Sequence, residues 1–357
     1  MDITQIFLDL AIILFSTKAL GMLMRKIGLP QVVGMVIAGL LIGPAIWGQF
    51  GWWSPIRPTP DSTIFLKGIA EIGVVMILFS AGLETDIKEL KRSGLFATLI
   101  AFGGVIVPIV GGFLVAVPFL GGFSALSADK SLMLDAVFIG VILAATSVGI
   151  TVETLKEMGK LKGKVGTIIL SAAIIDDVIG IVVLSIAIGF KDATVNPWMT
   201  LLMTVLFFIA AIAVGLLLNR GFKWLMKKYP HNRRVDINSY MIFAPVFFAN
   251  IGINTDFTGF NGTVLLFSLL FVLVGVLGKI IGCGGVAKLC KFSWRESGQI
   301  GVGMIARGEV ALVVCNKGIE GGLFAGTVIN PIVAVIMLVI ISSLLAPILL
   351  KLMFKGD

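Results

Sequence analysis

Two adjacent carboxylates, Asp176 and Asp177, sit near the middle of an apolar run from Val165 to Phe190. A run that long reads as a membrane-spanning helix, which needs roughly 20 apolar residues. One carboxylate near the bilayer midplane costs about 2.5–3.5 kcal/mol on insertion scales. Neighbouring helix positions point about 100° apart, so the two groups face different surroundings. One is placed to pair with a neighbouring helix. The other is placed to face a water-filled cavity. The plainer reading, two carboxylates held only by structural hydrogen bonds, leaves that insertion cost without a purpose, and intramembrane ionisable groups are functional by default.

The rest of the chain agrees with a membrane setting. Of its 357 residues, 58% are hydrophobic and 13% charged, and the mean hydropathy is +1.07. A soluble domain of this size could not cover its surface with so few charges. The fold class expected is an all-α polytopic membrane protein. The net charge of +8 raises nucleic-acid binding, but the positive residues lie in short loops between apolar runs, so no nucleic acid is expected. Cys283, Cys290 and Cys315 lie in or beside apolar runs and read as small packing residues, not a disulfide or metal framework. The first run has no basic leader and no small-residue cleavage site, so it is expected to stay as a helix. No segment asks for a cofactor, and no enzyme is expected.

Eleven apolar runs are readable: 3–24, 29–48, 63–83, 94–119, 133–155, 165–190, 197–219, 238–253, 262–287, 297–316 and 326–350. With the N-terminus outside, twenty of the 28 Lys and Arg residues fall in inside loops and four in outside loops. The positive-inside rule then puts the C-terminus in the cytoplasm. The expected location is the cell inner membrane, crossed many times.

The chain also repeats itself. Gly82–Asp86 closes the third run and Gly252–Asp256 closes the eighth. The charge rule sends these runs in opposite directions, so the repeat is inverted, as in transporters with a midplane site. Two further runs correspond. The fifth contains Ala144–Gly149 with Thr146, Ser147 and then Thr151, and the tenth contains Gly301–Glu309 with Arg307 and Glu309. Glycine and hydroxyl residues let a membrane helix unwind, because hydroxyls and water satisfy the freed backbone groups. Ordinary small-residue packing is the bland alternative; the charged pair Arg307 and Glu309 speaks against it in the tenth run. These charges can neutralise half-helix ends or bind an ion. Lys279 lies deep in the ninth run, too far from either end to snorkel. It needs an anion, and the chain offers Asp176 or Asp177.

This ordered set resembles the monovalent cation–proton antiporter superfamily, in the branch of Nap-type and Ger-type Na+/H+ antiporters and Kef-type membrane domains. The resemblance runs through Gly28–Pro44, Ala70–Val75 with Ala81–Glu84, Ala145–Gly149, Asp176–Asp177, Phe243–Phe248, Lys279 and Arg307–Glu309. It implies an inverted-repeat fold with two broken, crossing helices, and exchange of Na+ or Li+ for H+ by alternating access. It implies that Asp177 binds the cation and the proton, and that Asp176 pairs with Lys279. Thr146 and Ser147 would line the crossing, while Arg307 and Glu309 would compensate helix charge. It implies a homodimer. The parts expected are 1–93 on the dimerisation side, 94–190 in the core, 191–290 linking, and 291–357 in the core.

Two departures stand out. By the resemblance, family members usually carry two more helices where only Tyr229–Asn238 lies here, so the dimerisation side is expected to lack two helices and a transport-inactive truncated form is an alternative. No Gly-x-Gly-x-x-Gly nucleotide domain follows the last run. The Asp-Asp pair favours Na+, since Kef members usually have one of the two as an amide. K+/H+ exchange is the alternative within transport, because selectivity depends on cavity size and oxygen placement. A channel, or a binding subunit, is the other class. An intramembrane aspartyl protease is excluded, since it needs carboxylates facing each other from separate helices. His231, the only histidine, reads as a solvated loop residue, and the basic loop 220–234 as a topology signal that can also touch anionic lipid.

Overall fold

The computed structural model describes residues 3–49, 54–56, 59–84, 87–191, 197–228, 235–253, 262–324, 327, 329 and 331–355. Among them every regular element is a helix. In chain order these are α1 (Ile3–Lys26), α2 (Gln31–Ile42), α3 (Pro44–Gln49), α4 (Pro60–Glu84), α5 (Ile87–Phe119) and α6 (Gly122–Ala128). Then come α7 (Lys130–Ala144), α8 (Val148–Glu157), α9 (Lys164–Lys191), α10 (Pro197–Lys228), α11 (Val235–Ile253) and α12 (Gly262–Lys279). A π-helical turn, Ile280–Gly284, leads into α13 (Gly285–Leu289), followed by α14 (Trp294–Gly303), α15 (Glu309–Glu320) and α16 (Pro331–Phe354).

Each of the eleven apolar runs holds a helix or a helix interrupted part-way. Among the described residues, six stretches are long and apolar enough to cross a membrane: Ile3–Lys26, Gly94–Phe119, Lys130–Glu157, Lys164–Phe190, Gly262–Leu289 and Pro331–Phe354. The count is lower than eleven partly because several runs bend or break. The second run, for example, splits at Gly43 into α2 and α3.

Local chemistry sets the boundaries. Proline occupies the first position of α3, α4, α10 and α16, where its missing N–H costs nothing. Asp129 caps α7 by accepting from the Ser131 N–H. Ser293 and Glu296 form a reciprocal capping box at the start of α14. Pro108, Pro245 and Pro347 sit inside α5, α11 and α16, which membrane helices tolerate when neighbours satisfy the freed carbonyls.

The helices pack in two groups. One contains α1, α2, α4 and α11. The other gathers α7, α9, α12, the π turn and α14 to α16 around α5. Helix α12, which falls in the 191–290 linking stretch by chain order, packs against α5 and α16. Contacts of α8 with α2 and α4, and of α16 with α2, join the groups. Within the first group the backbones touch: a Cβ on Gly39 of α2 would lie 2.0 Å from the Ala249 carbonyl oxygen of α11. Glycine alone permits that approach. Large apolar side chains such as Phe15, Leu114, Phe190 and Phe207 are exposed. In water such coverage would drive association; in lipid it is the expected outer face.

Thr85, Asp86 and Asn254–Asp256 lie outside the described residues, as do Tyr229–Arg234 with His231. The paired motifs and the shortened loop are therefore sequence observations only.

Candidate functional site

The fifth and tenth runs each break. Helix α7 ends at Ala144 and α8 begins at Val148, leaving Ala145–Ser147 unwound. Helix α14 ends at Gly303 and α15 begins at Glu309, leaving Met304–Gly308 unwound. The two gaps cross in contact: the Ser147 N–H donates to the Ala306 carbonyl at 2.8 Å. A Cβ on Gly308 would lie 2.7 Å from Ser147 Oγ, so a side chain there would force the crossing apart. Thr151, on the first turn of α8, donates from Oγ1 to the Gly303 carbonyl at 2.8 Å. Four half-helix ends thus meet: the C-termini of α7 and α14, and the N-termini of α8 and α15. The first two carry partial negative charge and the last two partial positive charge.

The charged side chains are distributed to match. Asp176 of α9 is buried and accepts from Thr146 Oγ1 at 2.6 Å through Oδ2. Through Oδ1 it accepts from Lys279 Nζ at 2.8 Å. Both ends of that ion pair are essentially inaccessible, at 0% and 1% side-chain exposure. A carboxylate thus lies beside the N-terminal end of α8, where negative charge is favoured.

Arg307 is fully buried and serves the opposite ends. Its guanidinium donates to the carbonyls of Met304 (3.2 Å), Ile305 (3.1 Å), Leu143 (2.7 Å) and Gly275 (3.4 Å). Leu143 lies in the last turn of α7, and Met304 follows the last residue of α14. A single cation therefore covers the carbonyl ends of both half-helices. Of Glu309 only the backbone is described, as the first residue of α15.

Asp177 points elsewhere than Asp176, as adjacent helix positions must. It is half-buried, and its Oδ1 is a buried atom. Ser147 Oγ is also buried and has no hydrogen-bond partner among the described residues. Carboxylate and hydroxyl oxygens are the donors a hard monovalent cation takes. Among the described residues no group of three His, Cys, Asp or Glu side chains could hold a transition metal.

The structure therefore gathers Thr146, Ser147, Asp176, Lys279 and Arg307 at one crossing, with Asp177 next to Asp176 on α9. Three features are additional to those read in the sequence. The π turn begins directly after Lys279, and π turns recur at functional sites. The glycine-rich stretch Gly278–Gly285 was its only sequence signal. Gly275 of α12 supplies a carbonyl to Arg307. Ser342 and Ser343 of α16 contact the Arg307 backbone.

Comparison with known proteins places this geometry. Residues 11–232 and 226–356 match the family described as "Sodium/hydrogen exchanger, transmembrane". The chain is 32% identical to the Na(+)/H(+)-K(+) antiporter GerN of Bacillus cereus, covering 98% of this chain and 96% of that one. It is 31% identical to a Na(+)/H(+) antiporter of Enterococcus hirae, covering 96% of each. The fold matches the sodium proton antiporter MjNhaP1 of Methanocaldococcus jannaschii with a TM-score of 0.64, at 18% identity and over 100% of both chains.

Proposed function

We propose that this chain, which belongs to the sodium/hydrogen exchanger transmembrane family, exchanges Na+ for H+ across the cell membrane by alternating access. The observation that carries the reading is the buried Lys279–Asp176–Thr146 cluster at the crossing of two broken helices. A midplane site between unwound helices is the pattern of secondary transporters. The relatives' names supply the ions.

Asp177 is the shared site. Its single negative charge is neutralised by a proton or by a cation, not by both at once, and that exclusion couples the two flows. Ser147 Oγ and backbone carbonyls of the unwound segments complete the cation's oxygen shell. Asp176 is occupied by Lys279 and Thr146, so it holds the crossing and leaves Asp177 to the ion. Arg307 and Glu309 balance the half-helix ends. The protein sits in the inner membrane with its N-terminus outside and its C-terminus in the cytoplasm, as the loop charges direct. It works as a homodimer. The GerN name adds K+, and K+ is the second cation to assay.

The test is Na+-driven proton movement in vesicles reconstituted with purified protein. The wild type should dissipate an imposed proton gradient on addition of Na+, and Asp177→Asn should not, at equal protein content. Retained Na+-dependent flux in Asp177→Asn removes Asp177 from the role. A large voltage-driven current uncoupled from protons would make the protein a channel.

A further inference from the structure

The second unwound segment raises a question of backbone accounting. Lipid does not solvate peptide groups, so each freed N–H and C=O needs a partner from the protein or from water in a cavity. Most find one locally. The N–H groups of Met304 and Ile305 return to the Gly301 and Val302 carbonyls, at 3.2 Å each. The Met304 and Ile305 carbonyls accept from the Arg307 guanidinium. The Ala306 carbonyl accepts from Ser147, and the Gly308 carbonyl from the Ala311 N–H at 3.2 Å. The Arg307 peptide is different. Its N–H donates to Ser342 Oγ at 3.0 Å, and its carbonyl accepts from Ser343 Oγ at 3.1 Å. Both partners are side chains of α16, 35 and 36 residues further along.

Ordinary hydroxyls on these helices behave otherwise. Ser16, Thr17, Ser171 and Ser185 all donate back to the carbonyl four residues earlier in their own helix. That back-bond is the usual fate of a hydroxyl in a membrane helix. Ser343 gives its hydrogen to another segment instead. Ser342 spends its hydrogen on the Val339 carbonyl at 3.3 Å, which leaves its lone pairs for the Arg307 N–H. Ser342, Ser343 and Arg307 are all fully buried.

We propose that Ser342 and Ser343 are positioning residues for ion exchange: together they fix the Arg307 peptide and so hold its guanidinium on the converging carbonyl ends of α7 and α14. Neither touches the ion. Their effect passes through Arg307, whose side chain spans Leu143, Gly275, Met304 and Ile305. If the peptide shifts, the guanidinium cannot keep all four carbonyls, and the field at the crossing changes. The inference rests on the antiport reading. It adds that the last helix of the chain takes part in setting the ion site.

The test compares Ser342→Ala, Ser343→Ala and the double variant with Ser268→Ala. Ser268 is a fitting control: it is equally buried, lies on α12, and its Oγ has no partner among the described residues. Each lost bond should raise the apparent KM for Na+ roughly fivefold, with a smaller change in kcat, and the double variant more. The pH profile of exchange should shift with it. Ser343→Thr, which keeps the hydroxyl, should recover the wild-type KM. Ser268→Ala should leave KM and the pH profile unchanged. If the double variant fails to fold, the single variants decide. If KM and the pH profile stay at wild-type values while only thermal stability falls, the serines are structural and the proposal is overturned. Wild-type flux separates the two claims. A wild type without Na+-dependent flux defeats the antiport reading, and Na+ titration by calorimetry of the same variants then decides the positioning claim, with weaker binding supporting it and unchanged binding overturning it.

Discussion

Lys279 and Asp176 illustrate why a buried pair is hard to alter one member at a time. Taking two charges out of water is costly, and the pair offsets that cost only while both are present. Removing one partner leaves a lone buried charge, which typically costs about 3–5 kcal/mol. Asp176→Ala should therefore lower yield and thermal stability more than Asp177→Asn does, as melting of the two purified variants would show. Lys279→Gln is the more informative change. If Na+ entry weakens the Lys279–Asp176 bridge, the lysine's charge takes part in the cycle and exchange moves net charge. Lys279→Gln should then exchange more slowly and electroneutrally. Unaltered current per Na+ in reconstituted Lys279→Gln protein would mean that the lysine only holds α12 to α9.

At the scale of elements, each half-helix needs a different device at its two ends. The membrane-interior ends are neutralised by charge, as with Arg307. The membrane-edge end of α14 uses a capping box, Ser293 with Glu296. Losing the serine should cost about 1 kcal/mol. Glu296 lies just before the apolar stretch 297–316, and the Lys164 ammonium bonded to it at 2.8 Å holds its carboxyl below the usual range, helped by the Ser293 N–H. A carboxyl lowered in the folded state adds stability above its unfolded pKa, and that stability is lost as pH falls through the folded value. Lys164 is 62% exposed, so the pair is screened and contributes below about 1 kcal/mol. Wild type and Lys164→Ala should differ slightly in melting temperature near neutral pH and converge in acid. A gap that widens in acid would contradict this assignment. Gly308 tests the other end. Gly308→Ala pushes a methyl against Ser147 Oγ, and exchange should fall sharply while the protein stays folded.

The whole molecule poses the question of the helices between α10 and α11. The GerN alignment extends over 397 positions, more than the 357 residues of this chain. The two family matches overlap at residues 226–232, next to the short stretch 229–238 where the sequence reading expects two helices fewer than the family usually has. Two membrane helices need roughly 40 residues. Losing a pair would preserve the direction of every later helix, so the loop charges would still sort. Orientation can be checked with the native cysteines. Cys283 and Cys315 are buried, while Cys290 follows α13 and is partly accessible. A membrane-impermeant maleimide should label Cys290 in inside-out vesicles and not in right-side-out ones. Burial pushes the Cys290 thiol up, so labelling should accelerate as pH rises. Labelling from the outer face would invert the topology argued here.

Much of this protein is determined by composition and local pattern. Apolar length defines membrane helices because the bilayer tolerates no unpaired backbone, and loop charge orients them. The two breaks were legible because glycine, hydroxyl and charged residues interrupt runs that would otherwise continue. That Asp176 and Asp177 must differ followed from helical geometry alone. What the sequence left open was which partner each charge takes. By residue chemistry alone Lys279 could have met either aspartate; the family resemblance pointed to Asp176, and the packing of α12 and α9 against α5 brings the two together. Arg307 was visible as a charge near a break, but its reach to Leu143 and Gly275 depends on three separate elements converging. Ser342 and Ser343 carried no signal, since serines in an apolar helix normally bond their own backbone. Their role arises from contact between segments 35 residues apart, and hydrogen bonds across that separation are decided by the tertiary fold, because local pattern specifies a helix's faces but not what lies against them.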